Sequence, residues 1–157
     1  MSDIIYMTKD SVREIEEQVR ELKFKGRKEI AAKIAEARSH GDLSENAEYD
    51  AAKHDQELLE IKIHRLESTL AKVQVISPDE LPDDKVYILT KVKLLNKSNN
   101  AFLDYMLVSP EEADFERRKI SVSSPIGKAL MGKKVGEIAE INVPAGKIQY
   151  EVIEISK

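Results

Sequence analysis

The chain has 157 residues and no cysteine, which removes disulfides, thiolate metal sites and cysteine nucleophiles together. Hydrophobic residues make up 41 %, enough for a core, yet aromatics reach only 5 %, tryptophan is absent and charged residues account for 34 %, a mix that favours long helices over one large globular core. A net charge of −4 argues against a protein that grips duplex DNA through many phosphates, and the lack of a signal-type start or of about 18 consecutive apolar residues sets the expectation of a soluble, cytoplasmic protein with no membrane partner.

Along the first half, Val12, Ile15, Val19 and Leu22 step by three and four, and Gly26, Ile30, Ile34 and Ala37 continue the stripe. From Leu22 to Ile34 every step is four, a departure from the heptad that locally unwinds a coiled coil. A second stripe follows: Ala52, Asp55, Leu59, Ile63, Leu66, Leu70 and Val73, with Asp55 predicting looser packing at its start. Between the stripes, Ser39-His40-Gly41-Asp42-Leu43-Ser44 offers a helix stop at Gly41 and a restart at Asp42 or Ser44. Two long amphipathic helices on a short connection predict an antiparallel coiled-coil hairpin over residues 1–76. Its dry surface is the seam alone, which accounts for the high charge.

The period changes near Ile76. Ser77 to Asp84, with two prolines, reads as a linker, and residues 85–157 read as a second domain. Together the halves give an α+β fold. Val86 to Leu89, Lys91 to Leu95 and Phe102 to Val108 look like strands. Ser109-Pro110-Glu111-Glu112 and Ser124-Pro125 each open a short helix, the latter ended by Gly132. Glu137 to Val143 and Gln149 to Ile155 form strands joined at Pro144-Ala145-Gly146.

Chemistry concentrates at the predicted turn of the hairpin. Asp42 and Glu45 are three apart at a helix start, a spacing that turns both carboxylates the same way. The same spacing also makes a capping box, with acids favoured by the helix dipole, so these two residues alone leave capping and chemistry both open. Ser44 reads as a cap, since no His or Lys stands at a recognisable spacing to activate it. His40, His54 and His64 show no zinc spacing. Arg38 and Lys53 flank the turn, and Lys23, Lys25, Arg27, Lys28 and Lys33 suggest a modest basic patch on the first helix.

The run Gly41-Asp42-Leu43-Ser44-Glu45-Asn46-Ala47-Glu48-Tyr49 resembles the coiled-coil tip of the Gre transcript cleavage factors. A second resemblance spans Ile120 to Gly136, with Glu112-Ala113-Asp114-Phe115 upstream. Pro144-Ala145-Gly146 departs from the Pro-Gly-Gly common in the family, and Met7 to Val12 is less typical. The acidic balance points to the GreA branch over the more basic GreB branch. The resemblance implies an FK506-binding-protein-like (FKBP-like) C-terminal domain that docks on bacterial RNA polymerase and a hairpin that enters its secondary channel. It implies that Asp42 and Glu45 reach the polymerase active site, share a Mg²⁺ with it and promote cleavage of the RNA 3′ end in backtracked complexes. It further implies that Arg38, Ser44, Asn46, Tyr49 and Lys53 contact nucleic acid or polymerase. Since two carboxylates are too few for a tight site, the isolated chain is expected to hold no metal, and the polymerase, not this chain, is expected to be the enzyme. A monomer is the simpler expectation. A non-cleaving regulator of the same channel, a prolyl isomerase and an inert coiled-coil scaffold are the competing readings; the acidic run argues against the first and last, the scattered aromatics against the second.

Overall fold

The apolar stripes of the first half place their helices face to face in the structure, a computed structural model that describes residues 4–41 and 46–157. Strand β1 (Ile5–Met7) leads into a helical run made of α1 (Lys9–Glu21), one π turn (Leu22–Gly26) and α2 (Arg27–Ser39); α3 (Ala47–Lys72) returns. Every residue of the first predicted stripe is buried or half-buried, whereas its neighbours on the outer faces are exposed. Cross-helix pairs run in opposite senses: Lys23 meets Glu67 at 2.7 Å and Arg27 meets Glu60 at 2.8 Å. The helices are therefore antiparallel. The π turn falls where the stripe steps by four, a wider turn that keeps Leu22 and Gly26 on the seam. A β-carbon on Gly26 would lie 3.1 Å from Leu59 Cδ1, so the missing side chain lets the two helices close on each other there.

The second half builds a five-stranded sheet in the order β5-β4-β3-β7-β6. Its strands are β3 (Lys91–Asn96), β4 (Ala101–Val108), β5 (Lys119–Ser121), β6 (Ile138–Val143) and β7 (Gly146–Ser156). All neighbours are antiparallel except β4 and β5. Val92 and Leu94 of β3, Leu107 of β4 and Val152 of β7 are almost wholly buried on one face, where Leu130 of α4 (Pro125–Leu130) joins them. A bulge shifts the β3–β7 register between Lys93 and Leu94, pairing Val92 with Ile155 but Leu94 with Val152. Three residues apart, Val152 and Ile155 would face opposite sides of a regular strand; the extra residue lets both join the core. Helix α4 is capped by Ser124, whose Oγ accepts from the Gly127 N–H at 3.1 Å and donates to the Ser121 carbonyl at 2.6 Å.

One expectation is corrected here. Val86 to Leu89 is not a strand: Thr90 Oγ1 donates to the Tyr87 carbonyl and accepts from its N–H, closing a turn in which Leu89 takes φ 71°. The short helix expected from Ser109 is one 3-10 turn, Pro110–Glu112. By its internal contacts the chain separates into two units. One unit is Asp10–Lys72; the other joins the described residues up to Lys9 with Val73–Lys157. The reason is a long-range pairing: β1 lies parallel to β2 (Val73–Val75), and the Ile76 N–H donates to Met7 at 2.9 Å. Within the expected linker, Leu81 is buried with Leu89 and Val108, against Tyr6 and Ile76. Among the described residues no helix is long and apolar enough to cross a membrane.

Candidate functional site at the turn of the hairpin

Small side chains bring the two helices together at their turn. Ala37 and Ala52 are buried on facing sides of the seam. Beside them, Ala51 and Asp55 help line a hollow of about 270 Å³, the looser packing that a polar residue in the stripe predicts. Helix α2 stops as expected: His40 caps it, and Gly41 follows with φ +116°, a conformation that a side chain would strain.

The restart is made by a residue that was not expected to make it. Asn46 Oδ1 accepts from the Tyr49 N–H at 3.1 Å, three residues into α3, so Asn46 is the N-cap in place of Asp42 or Ser44. Its Nδ2 donates across the turn to the Ala37 carbonyl at 2.6 Å. One amide thus satisfies an open donor of α3 and gives the Ala37 carbonyl, which also accepts from the His40 N–H, a second donor from across the turn. Two further contacts tie the helices here: the Arg38 guanidinium lies 5.8 Å from the centre of the Tyr49 ring, and His40 Nε2 stands 3.4 Å from a Glu48 carboxylate oxygen. Neither His40 nor Glu48 was singled out from sequence. Asn in the position before Ala47-Glu48-Tyr49 is a strong cap signal, but Asp42 and Ser44 compete with it at the same level of propensity.

Asp42, Leu43, Ser44 and Glu45 lie outside the described residues, and with them the expected common facing of the two carboxylates. The structure brings Arg38, Asn46 and Tyr49 together around their two ends. Lys53 lies one turn further along α3, with its ammonium 2.9 Å from Gln56 Oε1. The expected basic patch on the first helix is largely balanced: Lys23, Arg27 and Lys25 each have a carboxylate partner, the last at 3.9 Å from Glu21. Lys23 donates to Glu67, which holds that carboxyl below its ordinary 4.5 despite a smaller opposing effect of burial.

A two-helix hairpin and a separate sheet unit together define a class that sequence comparison identifies. Residues 5–75 match the family "Transcription elongation factor, N-terminal", and residues 81–157 match "Transcription elongation factor, GreA/GreB, C-term". The chain belongs to the GreA/GreB family of transcription elongation factors. It is 51 % identical over 156 residues to transcription elongation factor GreA of Chlorobaculum parvum, covering 99 % of this chain and 98 % of the relative. It is 46 % identical over 156 residues to GreA of Amoebophilus asiaticus, covering 99 % of each. Among solved structures it is similar to GreA factor homolog 1 of Thermus thermophilus, with 25 % identity, a TM-score of 0.46 and coverage of 99 % and 100 %. The chain is therefore a transcript cleavage and elongation factor of the GreA type.

Proposed function

We propose that the hairpin enters the secondary channel of bacterial RNA polymerase and presents Asp42 and Glu45 to the polymerase active site, where they promote cleavage of the 3′ segment of a backtracked RNA. The observation that supports this reading is the position of the run Gly41 to Tyr49: it spans the connection between α2 and α3, and the helix ends that flank the connection are fastened to each other by Asn46. Helix ends fastened in this way are a support on which acidic groups can be carried into another molecule's cavity.

The roles of the residues follow from their chemistry. Asp42 and Glu45 offer hard oxygen donors, which fit Mg²⁺ and fill only part of its octahedral shell, leaving places for phosphate oxygens and water. Bound there, Mg²⁺ would supply Lewis-acid stabilisation of the phosphodiester and an acidified water. The carboxylates would ligate the ion together with polymerase groups, and one of them would orient the attacking water. Arg38, whose guanidinium is held over Tyr49, offers a positive charge to RNA phosphate or a polymerase carboxylate, as does Lys53. Ser44, Asn46 and Tyr49 would complete the contact surface. In this reading the polymerase is the catalyst and the chain completes its site.

The test is a halted, backtracked elongation complex with end-labelled RNA. Adding the chain should release a short 3′ fragment in the presence of Mg²⁺, and the chain with free RNA alone should release none. Cleavage of free RNA would make the chain a nuclease in its own right, and no release from the complex would refute the reading.

A further inference from the structure

Among the described residues of the hairpin helices, three large hydrophobic side chains stand in solvent: Phe24 at 73 % exposure, Leu58 at 51 % and Ile61 at 54 %. Scattered singly, such residues need no explanation. These three share one level of the hairpin. Gly26 of the π turn faces Leu59 across the seam, and the ion pairs of Lys23 with Glu67 and Arg27 with Glu60 fix the same alignment. Phe24 is two residues from Gly26, while Leu58 and Ile61 are one and two residues from Leu59. At about 1.5 Å per residue, all three lie within about one turn of the place where Gly26 meets Leu59.

Their directions differ. Phe24 falls midway between the seam residues Leu22 and Gly26, and Ile61 midway between Leu59 and Ile63. A residue halfway round the turn points away from the seam, so these two project from the backs of the two helices, in opposite directions. Leu58 and Glu60 sit on either side of Leu59, so Leu58 lies on the flank of α3 opposite the one from which Glu60 reaches Arg27. Apolar side chains thus ring the hairpin, in a stretch where Lys25, Lys28, Glu57 and Lys62 are also exposed.

A ring of this kind selects the shape of its partner. A flat surface, or a second copy laid along the hairpin, covers one side and leaves the other in water. A single partner covers Phe24 and Ile61 together by enclosing the hairpin, and burial favours it where its wall is apolar. We infer that Phe24, Leu58 and Ile61 form a collar that anchors the hairpin against apolar side chains lining the cavity it enters. The inference rests on the proposed entry of the hairpin into the polymerase channel and adds where the wall grips it. Gly26 precedes the end of α2 at Ser39 by about 20 Å, so the grip lies well behind the turn and leaves the turn itself to the chemistry.

The test uses the full chain and a backtracked polymerase complex, probed with hydroxyl radicals, which oxidise exposed Phe, Leu and Ile side chains. All three collar residues should react in the free chain and all three should be protected in the complex. Protection of Phe24 alone, or of Leu58 and Ile61 alone, would reveal a one-sided contact and overturn the collar. Protection that develops in the free chain as its concentration rises would make the partner a second copy, and would overturn it too. In titrations of RNA cleavage, the triple variant Phe24→Ala, Leu58→Ala, Ile61→Ala should raise the half-saturating concentration by about tenfold or more, with the maximal rate unchanged. An unchanged melting temperature would show that the variant is folded. Half-saturation at the wild-type concentration, or three reactive side chains in a complex that cleaves RNA, would sink the collar and leave the role of the hairpin standing. Conversely, protection of all three in a complex that releases no RNA would count against Asp42 and Glu45 and support the collar.

Discussion

The side-chain amide of Asn46 donates to the last turn of α2 and accepts from the first turn of α3, so it fixes both the start of a helix and the closure of the hairpin. Asn46→Ala removes both bonds and should cost about 1–2 kcal/mol, read as a shift in the urea midpoint, with faster hydrogen exchange at the Tyr49 amide. Asn46→Asp keeps the acceptor and loses the donor, and should fall between the two. The sequence left this residue hidden among rivals: Asp42, Ser44 and Asn46 are all good caps within a few positions, and only the tertiary bond to Ala37 separates them. Gly127 shows the opposite case, where a packing constraint has no local signal at all. A β-carbon there would sit 2.0 Å from the Ser121 carbonyl oxygen. Backbone cannot yield as a side-chain tip does, so Gly127→Ala should displace α4 and destabilise the chain by about 3 kcal/mol, measured by thermal melting.

At the scale of elements, the hairpin is legible because its signal is local and repeated. The stripes from Val12 to Ala37 and from Ala52 to Val73 announce the seam by period, and the structure buries or half-buries those positions. The parallel pairing of β1 with β2 is not legible, because Ile5–Met7 meets Val73–Val75 only after the whole hairpin intervenes; no period in either triplet records it. Val86 to Leu89 misled for a related reason. An apolar run buried on all sides reads the same as strand or turn, and the decision rests on the Thr90 hydroxyl. The seam also has an electrostatic component that pH can expose. The Lys23 hydrogen bond holds the Glu67 carboxyl below its ordinary 4.5. A depressed carboxyl contributes stability above its unfolded value, and the contribution is lost as pH falls through the lowered folded value. The melting temperature of the wild-type chain should therefore exceed that of Glu67→Gln near neutral pH, and the gap should close as the pH falls below 4.5 and through the lowered folded value.

At the scale of the molecule, two units of different construction meet different demands. Among the described residues the hairpin buries side chains only along the seam of its helices; the sheet unit has a dry core and takes the N-terminal strand into itself. Family membership extends over both, with relatives matched along 99 % of the chain. The proposed acidic tip rests on the nine-residue run, because two carboxylates three apart are as consistent with capping as with catalysis; Asn46 caps α3, and Asp42 and Glu45 themselves lie outside the described residues. The most direct measurement compares RNA release by the wild-type chain with that by Asp42→Asn and Glu45→Gln, at saturating factor, with polymerase affinity measured in parallel. Retained affinity with RNA release lowered by about a hundredfold or more, the scale of a lost transition-state contact, is the expected result. Release at the wild-type rate by both variants would contradict the account.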